Sequence, residues 1–463
     1  MPTIVPAVHG RINDLDSHLQ VPVSRWAEVF GEATARLGAQ FLGNPFFDAT
    51  DEPERTVESV WRTKGSAAPG SCTPEGRLAT MDLMGIERQL IFPQVVLAAP
   101  AWSAHPSAGV VLREYNDAVL RWTKAGNGRL RPTALLNLAT IEGAIAETER
   151  VVDGGARAVF IQDGIAPGGH SPAAPEVDPL WALLAEARVP VTLHIGGQEG
   201  FFGSTAWPAT ELLRPGSFSS GEPVGPHMLA TMHLSPQNYL ASMLYGGVFD
   251  RHPGLRVGVI ELGAMWVGPF VDLLEDRLQL SRRLRQTLQR RPSEVFVDQI
   301  RVTPFYWERT ARQIERYGMP EVYAFSTDFP HAEGAPTRSG AWAPTSSPWA
   351  RTRSRRSSSA TPSCSCRADA RLAVRPGRDG RLHTGGRARH QGGRDPSLEE
   401  RTMKTSVMLF GLAAVFASGI ACANIFGSGS SRPEAAAVPA ASSPCAGLVG
   451  QAKADCEKSS APR

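Results

Sequence analysis

From residue 12 onward, short runs of apolar, often β-branched residues alternate with longer stretches whose apolar positions recur every three to four residues. Eight runs read as strands: Ile12–Asp16, Gln89–Pro93, Thr133–Leu138, Arg157–Gln162, Val189–His194, Arg256–Glu261, Glu294–Thr303 and Val322–Thr327. Helical periodicity occupies 75–87, 111–126, 141–153, 178–187, 236–249, 264–290 and 305–317. Local chemistry supports these boundaries. Asp178-Pro179 sets a capping carboxylate before a helix-opening proline, and Gly154-Gly155 ends the helix ahead of the fourth strand. Strand–helix alternation with right-handed crossovers makes a parallel sheet, and eight repeats favour closure into a (β/α)₈ TIM barrel. An open doubly wound sheet is the alternative, but no GxGxxG follows a strand, so a dinucleotide site has no support. The eighth helix is missing. Beyond residue 334 the chain turns to Arg, Ser, Pro, Ala and Gly without helical periodicity.

Charge divides the chain at the same place. Residues 335–402 carry 14 Arg, no Lys and 5 acids, a net +9, and 403–463 carry +2. The total of +3 therefore leaves −8 on residues 1–334. Cys72 is the one cysteine of that body; Cys364, Cys366, Cys422, Cys445 and Cys456 all follow. An acidic body with a single thiol reads as an enzyme domain of a reducing, cytoplasmic compartment and not as a specific nucleic-acid binder. The expected organisation is a barrel over 1–334, a disordered Arg/Ser/Pro-rich segment over 335–402, a short apolar helix over 403–423 and a disordered tail over 424–463. The bias of 335–402 is that of GC-rich DNA read out of frame. Codons can be chosen for Ala335–Cys366 whose shifted frame encodes an apolar-periodic helix. Met403-Lys404, the apolar run Val407–Ala417 and Ala421-Cys422-Ala423 together resemble a secretory signal peptide. A membrane anchor through 403–426 is the alternative.

Side chains at the C-terminal ends of barrel strands line the active-site mouth. Here the first strand ends in Asp16-Ser17-His18, whose spacing of two puts Asp16 and His18 on one side of an extended chain. The fifth ends in His194, the sixth in Glu261, and the eighth in Asp328, followed by Phe329-Pro330-His331. Each alone has a structural explanation: a hydrogen-bonded histidine, a salt-bridging Glu261, an Asp328 that caps a turn. Their conjunction on one rim makes a mixed N/O site suited to one divalent ion, Zn²⁺ or Mn²⁺. His331 is placed to order a water or close the mouth. His227 and His233 lie on a loop that supplies either substrate contacts or solvent-exposed side chains. Trp266 is a pocket wall or a packing residue, and Cys72 has no paired base.

The segment Asp14-Leu15-Asp16-Ser17-His18-Leu19…Pro22 resembles the opening signature of the amidohydrolase-related family, which includes aminocarboxymuconate-semialdehyde decarboxylase and γ-resorcylate decarboxylase-like proteins. The resemblance continues through Arg77…Met81-Asp82…Gly85-Ile86, Asp178-Pro179-Leu180-Trp181, His194-Ile195-Gly196-Gly197, Phe249-Asp250-Arg251-His252-Pro253, Glu261-Leu262-Gly263…Trp266 and Ser326-Thr327-Asp328-Phe329-Pro330-His331. It spans about residues 10–334. It implies a distorted barrel with one divalent ion held by Asp16, His18, His194 and Asp328. The family's decarboxylases carry a proton-transferring histidine at the end of the sixth strand, where this chain has Glu261.

That exchange favours hydrolysis of a small amide, ester or lactone through metal-bound water. Asp328 then serves as both ligand and proton acceptor, and Glu261 as a second acid/base. Nonoxidative decarboxylation of an aromatic or enoic acid is the alternative. An inactive product of a damaged reading frame, or a membrane-anchored binder, is a further one. The partner expected is a small molecule, with self-association left open.

Overall fold

The computed structural model describes residues 10–334 except 104, 106, 199–209, 211–212, 214–224 and 333. The segments 335–402, 403–426 and 424–463 discussed above lie outside the described residues. Among those described, no helix is long and apolar enough to cross a membrane.

Seven strands form one curled parallel sheet in sequential order: β1 (Ile12–Asp14), β2 (Ile86–Ile91), β3 (Leu130–Leu135), β4 (Ala158–Phe160), β5 (Val191–His194), β6 (Val257–Ile260) and β7 (Ile300–Val302). An outer helix follows each: α1 (Pro74–Met84), α2 (Ala108–Lys124), α3 (Ile141–Asp153), α4 (Asp178–Ala187), α5 (Leu234–Tyr245), α6 (Val267–Leu278) and α7 (Thr310–Tyr317). This is the expected distorted (β/α)₈ barrel. Strand alternation separates two apolar populations. Val159, Ile161, Val191, Leu193 and Val257 pack outward with Trp181, Leu240 and Phe296. Phe160 and Ile260 join Phe92 and Leu135 in a second cluster.

Where the eighth strand, Val322–Thr327, is expected, an extended segment closes the ring through isolated bridges. Tyr323 bridges Val302, and Phe329 bridges Ser17, both in parallel sense. Leu15 N donates to Phe325 O, and Asp328 N to Asp16 O at 2.9 Å. A regular ladder does not form because the Thr327 N–H goes to the Asp14 carboxylate instead of a strand carbonyl. The backbone then turns left-handed at Asp328, with φ +53°.

Two other expectations need correction, and one helix was not expected. The run Glu294–Thr303 is not a single strand: Pro292–Gln299 is a helix, and only Ile300–Val302 is β7. Pro292 opens that helix, Glu294 Oε2 accepts from Arg291 N, and Val295, Phe296 and Gln299 are buried at helical spacing. Asp178 does not cap α4. It is the first residue of the helix, and its carboxylate goes to Arg251 and His252, at 2.8 and 3.0 Å. Finally, Val95–Trp102 is a helix that its uniformly apolar sequence conceals from any periodicity test.

The insertion after β1 folds into short helices, among them Trp26–Val29, Glu32–Gly38 and Ser59–Arg62. Glu114 of α2 fastens it, accepting from Ala33 N, Thr34 N and Thr34 Oγ1 at the start of Glu32–Gly38. A carboxylate there satisfies the free N–H groups of the first turn. Gly31, at φ +143°, permits the approach, since a Cβ would lie 2.5 Å from the Glu114 carboxylate. Glu114→Ala should lower stability to urea by about 1–3 kcal/mol and expose residues 23–48 to limited proteolysis. An unchanged midpoint and digestion pattern would show that the insertion is held elsewhere.

Candidate metal centre

Six titratable side chains converge where the strands end at the barrel mouth, and all are buried: Asp16, His18, His194, Glu261, Asp328 and His331. Asp16 and His18 extend β1, and pairing continues there through His18 N to Phe329 O at 2.7 Å and Leu19 N to Phe92 O at 2.9 Å. His194 ends β5, Glu261 follows β6, and the closing segment delivers Asp328 and His331. Asp16 Oδ1 lies 3.3 Å from both His18 Nε2 and His194 Nε2. Asp328 Oδ1 lies 3.4 Å from His18 Nε2 and 3.1 Å from His331 Nδ1. Glu261 Oε2 is 3.3 Å from His194 Nε2 and 3.9 Å from His18 Nε2.

Both principal imidazoles are held from behind. His18 Nδ1 is 2.8 Å from Pro93 O, and His194 Nδ1 is 2.9 Å from Ile195 O. A carbonyl can only accept, so each ring carries a hydrogen on Nδ1 and turns Nε2 toward the carboxylates. That is how a metal-binding histidine is oriented. Positive charge is favoured between these groups. Burial opposes a charged His18, but Asp16 and Asp328 outweigh it and push its pKa up to about 10. Burial likewise opposes charge on Asp16 and Asp328. His194 and His18 nonetheless hold Asp16 below the usual carboxylate range, and His331 and His18 do the same for Asp328. Asp16 Oδ2 is buried yet accepts no hydrogen bond from a described residue. Two imidazole nitrogens among carboxylate oxygens fit a Zn²⁺ or Mn²⁺ ion.

The donor atoms fall into two overlapping groups, each within 4.8 Å: Asp16, His18, His194 and Glu261, and His18, Glu261, Asp328 and His331. No one group holds all four residues expected to bind the ion: Asp16, His18 and His194 share theirs with Glu261, and Asp328 stands in the other. Glu261, expected beside them as an acid/base, belongs to both groups. Glu261 and Asp328 are two of only five non-glycine residues with positive φ among those described, at +55° and +53°. Strain of this kind persists where the surroundings fix it. At Glu261 those surroundings are Thr303 Oγ1, which accepts from Glu261 N at 3.0 Å, and Glu308, whose carboxylate accepts from Ala264 N at 2.9 Å. Burial pushes Glu308 up to about 7.

Two supporting residues escape a sequence reading centred on ligand types. Asp14 Oδ1 accepts from Asp16 N at 3.2 Å and Thr327 N at 2.9 Å. Its Oδ2 accepts from Thr327 Oγ1 at 2.6 Å and Gln89 Nε2 at 2.8 Å. One buried carboxylate thus joins the backbone beside Asp16 to the backbone beside Asp328. Burial raises its pKa to about 7, although all these donors pull the other way. The period-two series Asp14, Asp16, His18 is the signal that would have found it. Arg77 of α1 is the second. Its guanidinium donates to His18 O at 2.7 Å and Gly70 O at 2.8 Å, and lies 4.7 Å from the Phe329 ring centre. Burial lowers its pKa to about 9.

Of the weaker candidates, His331 stacks on His18 with ring centres 3.7 Å apart. Trp266 is a packing residue, buried beside Phe270 with its Nε1 donating to Gly263 O. The structure brings neither His227 nor His233 into the cluster. Cys72 contacts Ser71 Oγ and the carbonyls of Gln20 and Ser66. A narrow cleft reaches the cluster, lined by Asp16, Glu261, Asp328, Thr303, Phe305 and Tyr306. A larger, open hollow over α2 beside Phe30, Arg113 and Arg121 lies among none of these groups.

The family model described as amidohydrolase matches residues 15–348. No curated protein matches. Among solved structures, an amidohydrolase from Mycobacterium avium subsp. paratuberculosis K-10 is 20% identical, with a TM-score of 0.55 over 72% of this chain and 92% of that one. The 2,6-dihydroxybenzoate decarboxylase from Rhizobium is 18% identical, with a TM-score of 0.46 over 69% and 88%. A 5-carboxyvanillate decarboxylase from Novosphingobium aromaticivorans DSM 12444, complexed with manganese, is 15% identical, with a TM-score of 0.48 over 72% and 89%.

Asp14→Asn keeps the shape of the clamp but points an amide donor at the donors of Thr327 or Gln89. Affinity for Zn²⁺ or Mn²⁺ should fall about 10–100-fold, and stability by about 1–3 kcal/mol. Wild-type affinity in a correctly folded variant would show that the clamp does not position the ligands.

Proposed function

The chain belongs to the amidohydrolase family, and from that membership we propose that Asp16, His18, His194 and Asp328 hold one divalent ion, Zn²⁺ or Mn²⁺, for cleavage of a bond beside a carboxyl or carbonyl group of a small molecule. When bound, the ion would polarise an oxygen of that group. Nonoxidative decarboxylation of an aromatic or enoic acid is the chemistry the cleft supports best. The observation that carries it is the cleft's wall: Phe305 and Tyr306 stand beside Glu261 and Asp328. A flat apolar wall suits a ring or conjugated chain whose carboxyl points at the cluster.

This chain's residues then have distinct work. His18 and His194, fixed through Nδ1, present Nε2 to the ion. Asp328, between His18 and His331, holds negative charge at the mouth. As the carbon–carbon bond breaks, its electron pair stays on the substrate carbon. Glu261 in its acid form delivers a proton there, leaving CO₂ and the protonated product, and is reprotonated from solvent.

Hydrolysis of an amide, ester or lactone is the second reading, and Glu261 itself favours it. A carboxylate where related decarboxylases carry histidine suits removal of a proton from water, and in its ionised form repels a substrate carboxylate. The six cluster residues all precede residue 335. An out-of-frame tail would therefore leave them in place.

The metal-loaded chain should release CO₂ from members of a panel of aromatic and enoic acids. Glu261→Gln should slow turnover about 10²–10⁴-fold while retaining the ion. Ester or lactone cleavage without CO₂ release would establish hydrolysis instead. Loss of the ion in Glu261→Gln would make this residue a ligand and not the proton carrier.

A further inference from the structure

Three side-chain amides near the cluster are buried with polar atoms that find no partner among the described residues. Gln20 is fully enclosed, and neither its Oε1 nor its Nε2 makes a hydrogen bond with a described residue. Gln94 Oε1 and Gln162 Oε1 are also buried and accept nothing; Gln94 Nε2 reaches Val21 O only at 3.4 Å. Buried amides are normally satisfied, and each exception needs a reason.

Their positions supply one. Gln20 lies two residues beyond His18, Gln94 two beyond Phe92, and Gln162 two beyond Phe160. Those residues face the site. The Phe92 ring centre is 6.0 Å from that of His18 and 4.6 Å from that of His194, and Phe160 is 5.3 Å from His194. Parallel pairing runs past the strand ends, with Leu19 N donating to Phe92 O, Ile161 N to Thr192 O and Asp163 N to Gly197 O. The period of two therefore places the amides on the inward face, one layer nearer the mouth. Beyond His194 β5 ends in a turn, with Gly197 N donating to His194 O at 3.0 Å and Gly196 left-handed at φ +92°. The amide two beyond Leu135, Asn137, differs: it is tied to Ala101 O and Ala139 N.

We propose that Gln20, Gln94 and Gln162 form a polar subsite on the β1–β4 side of the mouth. It takes a neutral hydrogen-bonding group of the substrate, a hydroxyl, carbonyl or carboxamide. Uncharged amides both donate and accept, which matches such a group. The subsite rests on the metal-site reading only for where the reacting group sits, and the two can fail separately.

The test titrates the metal-loaded full chain by calorimetry with benzoate, 3-hydroxybenzoate and 4-hydroxybenzoate, beside Gln20→Met and Gln162→Met, and records each thermal midpoint. At least one hydroxy acid should bind tenfold or more tightly than benzoate. That preference should fall below twofold in the variants, with metal content and benzoate affinity unchanged. Both variants should keep or gain thermal stability, because a side chain of similar shape removes unmet polar atoms. A drop of several degrees in both variants, with any hydroxyl preference intact, overturns the subsite and makes the amides structural, bonded to buried water. If none of the acids binds, the midpoints decide: retained or raised stability supports the subsite, and loss in both rejects it. Benzoate binding that ignores the metal would count against the metal-site reading alone.

Discussion

The centre depends on one closure. Asp16 leaves the first strand and Asp328 the last segment, more than three hundred residues apart, and they meet only because the ring shuts between them. Asp14 fixes that seam by accepting from Asp16 N and from both the N–H and the hydroxyl of Thr327. The seam is thus held by a side chain where a regular barrel would use a strand ladder. Flexibility at this point would separate two of the proposed ligands before it disturbed the core. This explains why a buried carboxyl is retained in spite of its desolvation cost.

Within the closed ring the electrostatics follow from crowding. Three carboxylates and three imidazoles share a space with almost no solvent, so their charges must compensate locally. A proton on His18 does this in part, and a divalent ion would do it more completely, while Nδ1 contacts keep the rings aimed inward. Glu261 sits where the polar cluster meets the aromatic wall of Phe305 and Tyr306. That boundary is where a proton carrier can reach a substrate carbon or a water. On the proposed function the chemistry turns on this one side chain, held by Thr303 and by the turn that Glu308 secures.

Much of this was legible in the chain. Repeated strand–helix units specify a barrel, and ligand-type residues at four strand ends mark the mouth, because barrel geometry sends strand ends to a common place. Other features are tertiary in origin. The eighth strand looks regular as far as Thr327, yet Asp14, distant in sequence, takes its hydrogen bond. The run at 294–303 is β-branched enough to read as one strand, but Pro292 and the burial of Val295, Phe296 and Gln299 make its first part helical. Glu261 was visible as an acid at a strand end. Its membership of both donor groups depends on a left-handed turn that no local pattern announces.

The proposed function stands or falls on the convergent cluster being a metal centre. The direct measurement is elemental analysis and X-ray absorption of the purified full chain after reconstitution with Zn²⁺ or Mn²⁺. About one ion per chain should be found, with a shell of nitrogen and oxygen donors that includes two imidazoles. Occupancy below about a tenth of an equivalent with either metal, or a shell without imidazole, would contradict it.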